Sequence, residues 1–231
     1  MAGEPTTSRV LFMRHPETLG NTRHFFSGRL DVDLTPEGEA QRDRAIQALV
    51  AWEPDRVYTS PLKRCRAIAE PVAEKLGVPL VVDDRLIEID FGVIESKTSE
   101  EAAQMGLAFP WPIVDGRSVP CEGGESYEHI IERARGFIEH AVTLVGKTAC
   151  VTHGGFTRAI FAAAYGEDVD RFWFRVVPNV SSQVFVSKGG RLRLQSCGIS
   201  PEELEMRANH HFVPSDHNAT YERLCDNYAD N

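Results

Sequence analysis

Two histidines in this 231-residue chain come directly after short apolar runs. Residues 10–13 are followed by Arg14 and His15, and a second apolar run, at 148–152, is followed by His153. An imidazole can act as a nucleophile, a base or a metal ligand, and a guanidinium offers paired donors for phosphate or carboxylate. This spacing predicts two reactive histidines at the ends of buried strands, one of them beside an arginine.

The elements that must position these residues alternate between strand and helix along the chain. Short apolar runs predict strands at residues 10–13, 56–59, 80–82 and 148–152. Polar capping residues mark the starts of three helices: Thr35, Ser60 and Ser126. We therefore expect an α/β fold, a three-layer sandwich in which a mostly parallel central sheet carries helices on both faces.

Parallel strands end at the same edge of a sheet, which is where ligands bind in open α/β sheets. Arg64 follows the second strand, Glu88 lies in the loop after the third strand, and Asn21 lies in the loop after the first. These side chains should therefore meet the two histidines and Arg14 at one edge of the sheet.

Two arginines and two imidazoles around a cavity form a cage for an oxyanion. A phosphoryl group needs such a cage, because preorganised donors stabilise the negative charge on its equatorial oxygens. Adjacent arginines favour a neutral, nucleophilic His15, and a nearby glutamate can protonate the departing alkoxide. The pattern thus predicts phosphoryl transfer.

Composition limits the classes of function and partner. The net charge is −9, so the chain lacks the basic face of a general nucleic-acid binder. Its five cysteines are odd in number and contain no CxxC pair, which favours a reducing compartment over a disulfide framework. Residues 1–8 contain no apolar signal core, and no apolar run is long enough to cross a bilayer. We expect a cytoplasmic protein without nucleic-acid or membrane partners.

The chain divides into two parts on composition. Residues 1–199 are expected to form one domain that carries the chemistry, and residues 200–231 a polar, loosely held C-terminal extension. His210, His211 and His217 lie in this extension, and we expect no metal site from them.

Six segments, in order along the chain, resemble the histidine phosphatase superfamily (branch one), a group with the phosphoglycerate mutase-like fold. They are residues 14–18 with Asn21, 27–38, 60–65, 86–92, 123–126 and 151–155. Together they span roughly residues 9–186, and their order makes the resemblance specific although each segment alone is weak.

The resemblance assigns a role to each candidate residue. It implies that His15 becomes phosphorylated and that Glu88 is the general acid and base. It implies a phosphate pocket completed by Arg14, Arg64 and His153, lined by Asn21 and bordered by a substrate-side loop with Ser27 and Gly28. No metal or organic cofactor is implied for the chemistry.

Two departures from the family pattern concern the pocket. Pro16 replaces the small residue that usually follows the histidine, and a proline lacks the N–H that could bind phosphate. The usual Trp-Glu-Gly segment after the acid is replaced by Ile94, Glu95 and Ser96. This change affects the shape of the substrate rim. Glu95 is the main rival of Glu88 as the acid.

Three functions compete: a phosphomonoesterase, a cofactor-primed phosphoglycerate mutase and a non-catalytic domain that binds phosphorylated ligands. A mutase must hold a second anionic group, yet residues 96–121 contain only Lys97 and Arg117 as cations. Hydrolysis of a small organic phosphomonoester is therefore favoured. Phe109, Trp111 and Ile113 are predicted to form an apolar wall for such a substrate. The oligomeric state stays open, with a homodimer among the options.

Overall fold

The structure is a computed structural model that describes residues 8–209, and these residues contain one six-stranded sheet and one short hairpin. The strands are β1 (Ser8–Arg14), β2 (Arg56–Thr59), β3 (Leu80–Val82), β4 (Ile113–Val114), β5 (Arg117–Ser118), β6 (Lys147–Thr152), β7 (Ser182–Lys188) and β8 (Arg191–Ile199). The α-helices of the described residues are α1 (Leu19–Thr22), α2 (Pro36–Trp52), α3 (Lys63–Leu76), α4 (Ser99–Gln104), α5 (Tyr127–Ala141), α6 (Gly154–Tyr165) and α7 (Pro201–Asn209).

The sheet has the order β3-β2-β6-β1-β7-β8. β3, β2, β6 and β1 run parallel, whereas β7 is antiparallel to both β1 and β8. The predicted mostly parallel sheet is thus confirmed, and all four predicted strands lie in its parallel part. Their carboxyl ends meet at one edge, because Arg14 of β1 pairs with Thr152 of β6 and Thr59 of β2 pairs with Val151.

Both faces of the sheet are covered, which confirms the three-layer arrangement. Alternate residues of β1 face opposite layers: Val10 and Phe12 pack in one apolar cluster with α5 and α6, and Leu11 and Met13 pack in the other with α2 and α3. A strand that is buried on both faces reads as a continuous apolar run, and for this reason β1 was recognisable in the sequence.

Helix caps hold two of the elements that the sequence predicted. The Thr35 hydroxyl accepts a hydrogen bond of 2.9 Å from the Gly38 N–H at the start of α2. The Ser126 hydroxyl accepts one of 3.1 Å from the His129 N–H at the start of α5. Each cap satisfies a main-chain donor that the first turn of a helix leaves free.

The beginning of the C-terminal extension differs from the prediction. α7 packs against α2, and its Leu204 is only 2% exposed within the apolar cluster on that face. The expectation of a loosely held segment is therefore wrong for residues 201–209, where one buried leucine and a buried Pro201 provide an anchor that composition does not reveal. The remainder of the extension, with its three histidines, lies outside the described residues.

None of the helices within residues 8–209 combines the length and the apolar character that a bilayer crossing requires.

Candidate active site

The ends of β1 and β6 place the two predicted histidines side by side. The His15 N–H donates to the Thr152 carbonyl at 2.9 Å, which continues the strand pairing by one residue. The ring centroids of His15 and His153 are 5.2 Å apart, and both rings are buried. The sheet edge therefore delivers both imidazoles to one buried site, as the sequence predicted.

The protonation state of His15 follows from its contacts. Its Nδ1 lies 2.6 Å from the Pro16 carbonyl oxygen. A carbonyl can only accept, so Nδ1 carries the proton and Nε2 keeps its lone pair. Burial, together with the charges of Arg64 and Arg14, holds the pKa of His15 well below its ordinary value. His15 is therefore a neutral imidazole whose Nε2 can act as a nucleophile.

This contact also shows what Pro16 contributes. The proline has no N–H to offer a phosphate, but its carbonyl fixes the tautomer of the preceding histidine. The departure from the family pattern thus leaves the Nε2 lone pair of His15 available.

The second imidazole is held on both sides. Arg64 Nε donates to His153 Nδ1 at 3.2 Å, so Nε2 carries the proton and donates to the Ser60 hydroxyl at 2.7 Å. Burial is the main cause that holds the pKa of His153 well below its ordinary value, and Arg64 adds to the shift. In this arrangement both ring nitrogens bind protein atoms, and a direct bond to a phosphoryl group requires the ring to leave one of these partners.

The buried Arg64 guanidinium ties the substrate-side loop to this site. Nη1 donates to the Leu30 carbonyl at 2.6 Å and Nη2 to the Gly28 carbonyl at 2.7 Å. Gly28 has a φ of +41°, a conformation that glycine adopts without strain. Ser27 packs its side chain against Gly20, since a β-carbon at Gly20 would lie 2.0 Å from the Ser27 hydroxyl.

Arg14 has an unused donor inside the site. Its Nη1 donates to the Val177 carbonyl at 2.5 Å, but its buried Nε has no acceptor among the described residues. Burial lowers the pKa of Arg14 to about 10, so the side chain is still a cation at neutral pH. A buried donor without an acceptor costs about 1–3 kcal/mol, and an anionic ligand would remove this cost.

Glu88 places its carboxylate at the start of α6. Oε1 accepts from the Ile89 N–H at 2.8 Å, and Oε2 accepts from the Gly155 N–H at 3.1 Å. Gly155 makes this approach possible, because a β-carbon there would lie 2.3 Å from Oε1. Burial lowers the pKa of both Arg14 and Arg64, and the charge of Glu88 opposes this shift in both.

The rival carboxylate, Glu95, binds the substrate-side loop instead. Its Oε1 accepts from the Arg29 N–H at 2.7 Å. Partial burial raises the pKa of Glu95. Glu95 thus contacts the substrate-side loop, whereas Glu88 accepts from Gly155, two residues after His153, and this position favours Glu88 as the acid.

Asn21 is linked to His15 by Asn179, a residue that the sequence analysis missed. Its Oδ1 accepts from the Thr18 N–H at 3.0 Å and caps α1. Asn179 Nδ2 lies 3.4 Å from the same oxygen and donates to the His15 carbonyl at 3.0 Å. Asn179 thus joins the first loop to the strand end, although no local pattern in the sequence marks it.

The predicted apolar wall is only partly present. Trp111 is 3% exposed, donates from Nε1 to the Glu125 carbonyl at 3.0 Å and packs with Phe109 at 4.8 Å between ring centroids. It is a core residue, whereas Ile113 lies on the exposed hairpin of β4 and β5.

Within residues 8–209, no group of three or more His, Cys, Asp or Glu side chains is arranged to hold a metal ion.

The two buried histidines predict a stability that depends on pH. Their folded-state pKa values lie below the ordinary 6.5, so below that pH the unfolded chain binds more protons than the folded chain. The free energy of unfolding should fall as pH drops from about 6.5 to about 5, by up to about 1.4 kcal/mol per pH unit for each histidine. Above about pH 7.5 these residues contribute no slope.

Urea unfolding at a series of pH values measures this effect. His15→Asn should remove about half of the slope between pH 5 and 6.5, whereas His24→Asn, at an exposed position, should leave it unchanged. An unchanged slope in His15→Asn would show that this histidine is not buried in its neutral form.

Comparisons with known proteins agree with the family resemblance and with the fold. A family model described as histidine phosphatase superfamily (branch 1) matches residues 10–200. Phosphoserine phosphatase 1 of Hydrogenobacter thermophilus is 30% identical over 187 residues, which cover 76% of this chain and 85% of that protein. A probable phosphoglycerate mutase, GpmB of Cronobacter sakazakii, is 26% identical over 197 residues and 83% of each chain.

A solved structure supports the fold. The mycobacterial glucosyl-3-phosphoglycerate phosphatase, studied with VO3, superposes with a TM-score of 0.70 at 24% identity and covers 81% of this chain and 97% of its own. At that level of identity, the likeness concerns the arrangement of strands and helices.

Proposed function

The chain belongs to the histidine phosphatase superfamily (branch 1) and is a phosphatase of that family; we propose that it hydrolyses small organic phosphomonoesters through a phosphohistidine at His15. One observation carries the proposal. His15 is neutral, its Nε2 holds a lone pair, and the unused Nε donor of Arg14 lies at the same sheet edge.

The first step transfers the phosphoryl group to the protein. His15 Nε2 attacks phosphorus in line with the ester oxygen, so that a P–N bond forms as the P–O bond breaks. Arg14 donates to a phosphoryl oxygen, and Arg64 supplies positive charge while it holds His153 and the substrate-side loop in place. Glu88, in its protonated form, gives its proton to the leaving alkoxide.

The second step returns the histidine to its starting state. The ionised Glu88 takes a proton from water, the water oxygen attacks phosphorus, and the P–N bond breaks to release inorganic phosphate. The Pro16 carbonyl keeps the proton on Nδ1 throughout, so Nε2 regains its lone pair.

The small number of cations in residues 96–121 supports hydrolysis rather than mutase turnover. Arg117 is exposed on the β4–β5 hairpin, and Lys97 is the other cation of that stretch. A mutase must hold a second phosphoryl group, with about −1.5 to −2 charge, while its intermediate reorients. We expect the phosphohistidine to be captured by water instead.

A panel of phosphomonoesters tests the proposal with the purified chain. Phosphate release should exceed interconversion of phosphoglycerates, measured with a bisphosphate primer, by at least about tenfold, since no basic pair retains the intermediate. Phosphoserine belongs in the panel because one relative is named for it. Mutase turnover far above hydrolysis would reverse the ranking, and binding of phosphomonoesters without turnover would support the non-catalytic alternative.

The same panel, repeated after dialysis against a chelator, tests the prediction that no metal is needed. The rate should be unchanged, because guanidiniums rather than carboxylate clusters surround the phosphoryl site. A large loss of rate that magnesium or zinc restores would contradict the mechanism.

We propose that the partner of this chain is a small-molecule phosphomonoester. We also propose that the chain acts in the cytoplasm. The free cysteines among the described residues, two of them buried, are compatible with a reducing compartment. Cell fractionation tests the location, and light scattering tests whether the chain forms a homodimer.

A further inference from the structure

A third arginine, which the mechanism does not use, lies beside Arg14. Arg158 of α6 donates from Nε to the Arg175 carbonyl at 2.8 Å, and its guanidinium stands 4.5 Å from the centre of the Trp173 ring. A β-carbon on Gly154 would lie 3.1 Å from Arg158 Nη1 and 3.4 Å from Arg14 Nε. Two guanidiniums therefore converge over the glycine that begins α6.

This convergence is unfavourable for the protein alone. The charge of Arg158 lowers the pKa of Arg14, and burial lowers the pKa of Arg158 itself. Among the side chains that the structure describes, no carboxylate forms an ion pair with Arg158, and the charge of Glu88 only partly offsets the effect of burial on the Arg158 pKa. Like charges that share a partly buried site without a paired anion favour the binding of an anion.

Arg158 stands beside Arg14, because both guanidiniums approach the position that a β-carbon on Gly154 would occupy. The phosphoryl group on His15 would occupy the buried Nε donor of Arg14, which has no acceptor among the described residues. The Nε of Arg158 is already bound to the Arg175 carbonyl, and its Nη atoms are then left for a different anionic group of the substrate.

The position of the guanidinium suits a planar anion. Its Nε is bound to a main-chain carbonyl, and the Trp173 ring supports its face by a cation–π contact. The Nη atoms are thereby held in a fixed plane beside the phosphoryl site, and a guanidinium so fixed matches the two oxygens of a carboxylate.

We propose that Arg158 binds a carboxylate of the substrate, so that the preferred substrates are phosphomonoesters with a carboxylate within a few bonds of the ester oxygen. This inference rests on the proposed hydrolase function and adds the substrate class. A single guanidinium balances one carboxylate, not a second phosphoryl group, so the inference agrees with hydrolysis rather than mutase turnover.

Matched pairs of substrates test the inference. O-phosphoserine and O-phosphoethanolamine share the ester and the ammonium group and differ by the carboxylate; 3-phosphoglycerate and glycerol 3-phosphate form a second pair without an ammonium group. For the wild type, kcat/KM should be about 10²-fold higher for the carboxylated member of each pair, the effect of one desolvated charge pair. In Arg158→Met the ratio should fall to about 1, and Arg158→Lys should retain part of it.

A control at a neighbouring arginine separates this role from a structural one. The Arg175 guanidinium lies 3.3 Å from the centre of the Phe161 ring and pairs with Glu167, and Arg158 contacts the main-chain carbonyl of Arg175, which a substitution of the side chain keeps. Arg175→Met should leave the substrate ratio unchanged, and thermal unfolding should show that each variant is folded. If Arg158→Met lowers kcat/KM equally for both members of a pair, Arg158 holds the phosphoryl group or Arg14, and the inference is wrong.

Binding without turnover distinguishes failure of this inference from failure of the proposed function. In a His15→Ala background, calorimetry should show tighter binding of O-phosphoserine than of O-phosphoethanolamine, and the added Arg158→Met should abolish the difference. Equal binding of the two ligands overturns the inference. Unequal binding with no hydrolysis by the wild type sustains it and overturns the proposed hydrolase instead.

Discussion

Replacement of His15 by alanine is expected to lower kcat/KM for phosphomonoesters by at least about 10³-fold, because the lone pair that attacks phosphorus is lost. In the wild type, a quenched turnover reaction with radiolabelled substrate should leave an acid-labile, base-stable label on the protein. His15→Ala should carry none. The effect should be this large because the proposed route has no other nucleophile: both nitrogens of His153 bind protein atoms.

Two further variants make this experiment specific. His24 is exposed and has a φ of +57°, which asparagine tolerates, so His24→Asn is a control that should keep both rate and label. His153→Asn should slow the reaction but still become labelled. A label that persists in His15→Ala and disappears in His153→Asn would show that the second histidine is the nucleophile.

The sequence contained enough to predict the sheet edge and its residues. β1 and β6 are buried on both faces and appear as apolar runs. Each is followed by a buried histidine, a polar side chain that is costly to bury without hydrogen-bond partners. Parallel pairing then brought Arg14, His15 and His153 together without any further information. The geometry places these side chains next to each other, and their catalytic roles stay predictions.

Site residues that lie outside the ends of the parallel strands could not be predicted from strand pairing. Asn179 lies just before the antiparallel β7, and it contacts His15 only because β7 pairs with β1. Arg158 belongs to an alanine-rich helix, where a lone arginine reads as an exposed charge. Its contact with Trp173 is set by packing, which periodicity does not encode.

The protonation pattern of the imidazoles was also beyond the sequence. The nitrogen of His15 that keeps its lone pair is defined by the hydrogen bond from Nδ1 to the carbonyl of Pro16, a residue that the sequence analysis noted only for its missing N–H. The orientation of His153 depends on Arg64 and Ser60, which come from a different strand end. Such hydrogen bonds are identified from the distances between atoms in a structure, and residue types alone do not reveal them.

Glu88→Gln is expected to slow the phosphorylation of His15 by alkyl phosphates by about 10²–10⁴-fold, the usual contribution of general acid catalysis. Alkyl phosphates release a basic alkoxide, and their uncatalysed hydrolysis is among the slowest reactions known, so the donated proton matters. p-Nitrophenyl phosphate has a stable leaving group and needs that proton less. Its phosphorylation step should slow by less than about tenfold.

The position of the carboxylate makes the amide a close replacement. Glutamine can keep one of the two main-chain hydrogen bonds, to Ile89 or Gly155, and loses the other. Thermal unfolding should therefore show a destabilisation of about 1–3 kcal/mol, the cost of one buried donor left without an acceptor. Glu95→Gln is the matched control, because that carboxylate also accepts a main-chain N–H, from Arg29.

Single-turnover kinetics must isolate the phosphorylation step, since the proposed mechanism also uses Glu88 as the base when water attacks the phosphohistidine. With enzyme in excess, the release of alcohol or nitrophenol reports on the first step, and the decay of the label reports on the second. Glu88→Gln should slow the second step equally for all substrates, because the intermediate is the same phosphohistidine. If the first step slows equally for alkyl and aryl phosphates, Glu88 is not the proton donor; a leaving-group dependence in Glu95→Gln would then assign the proton to Glu95.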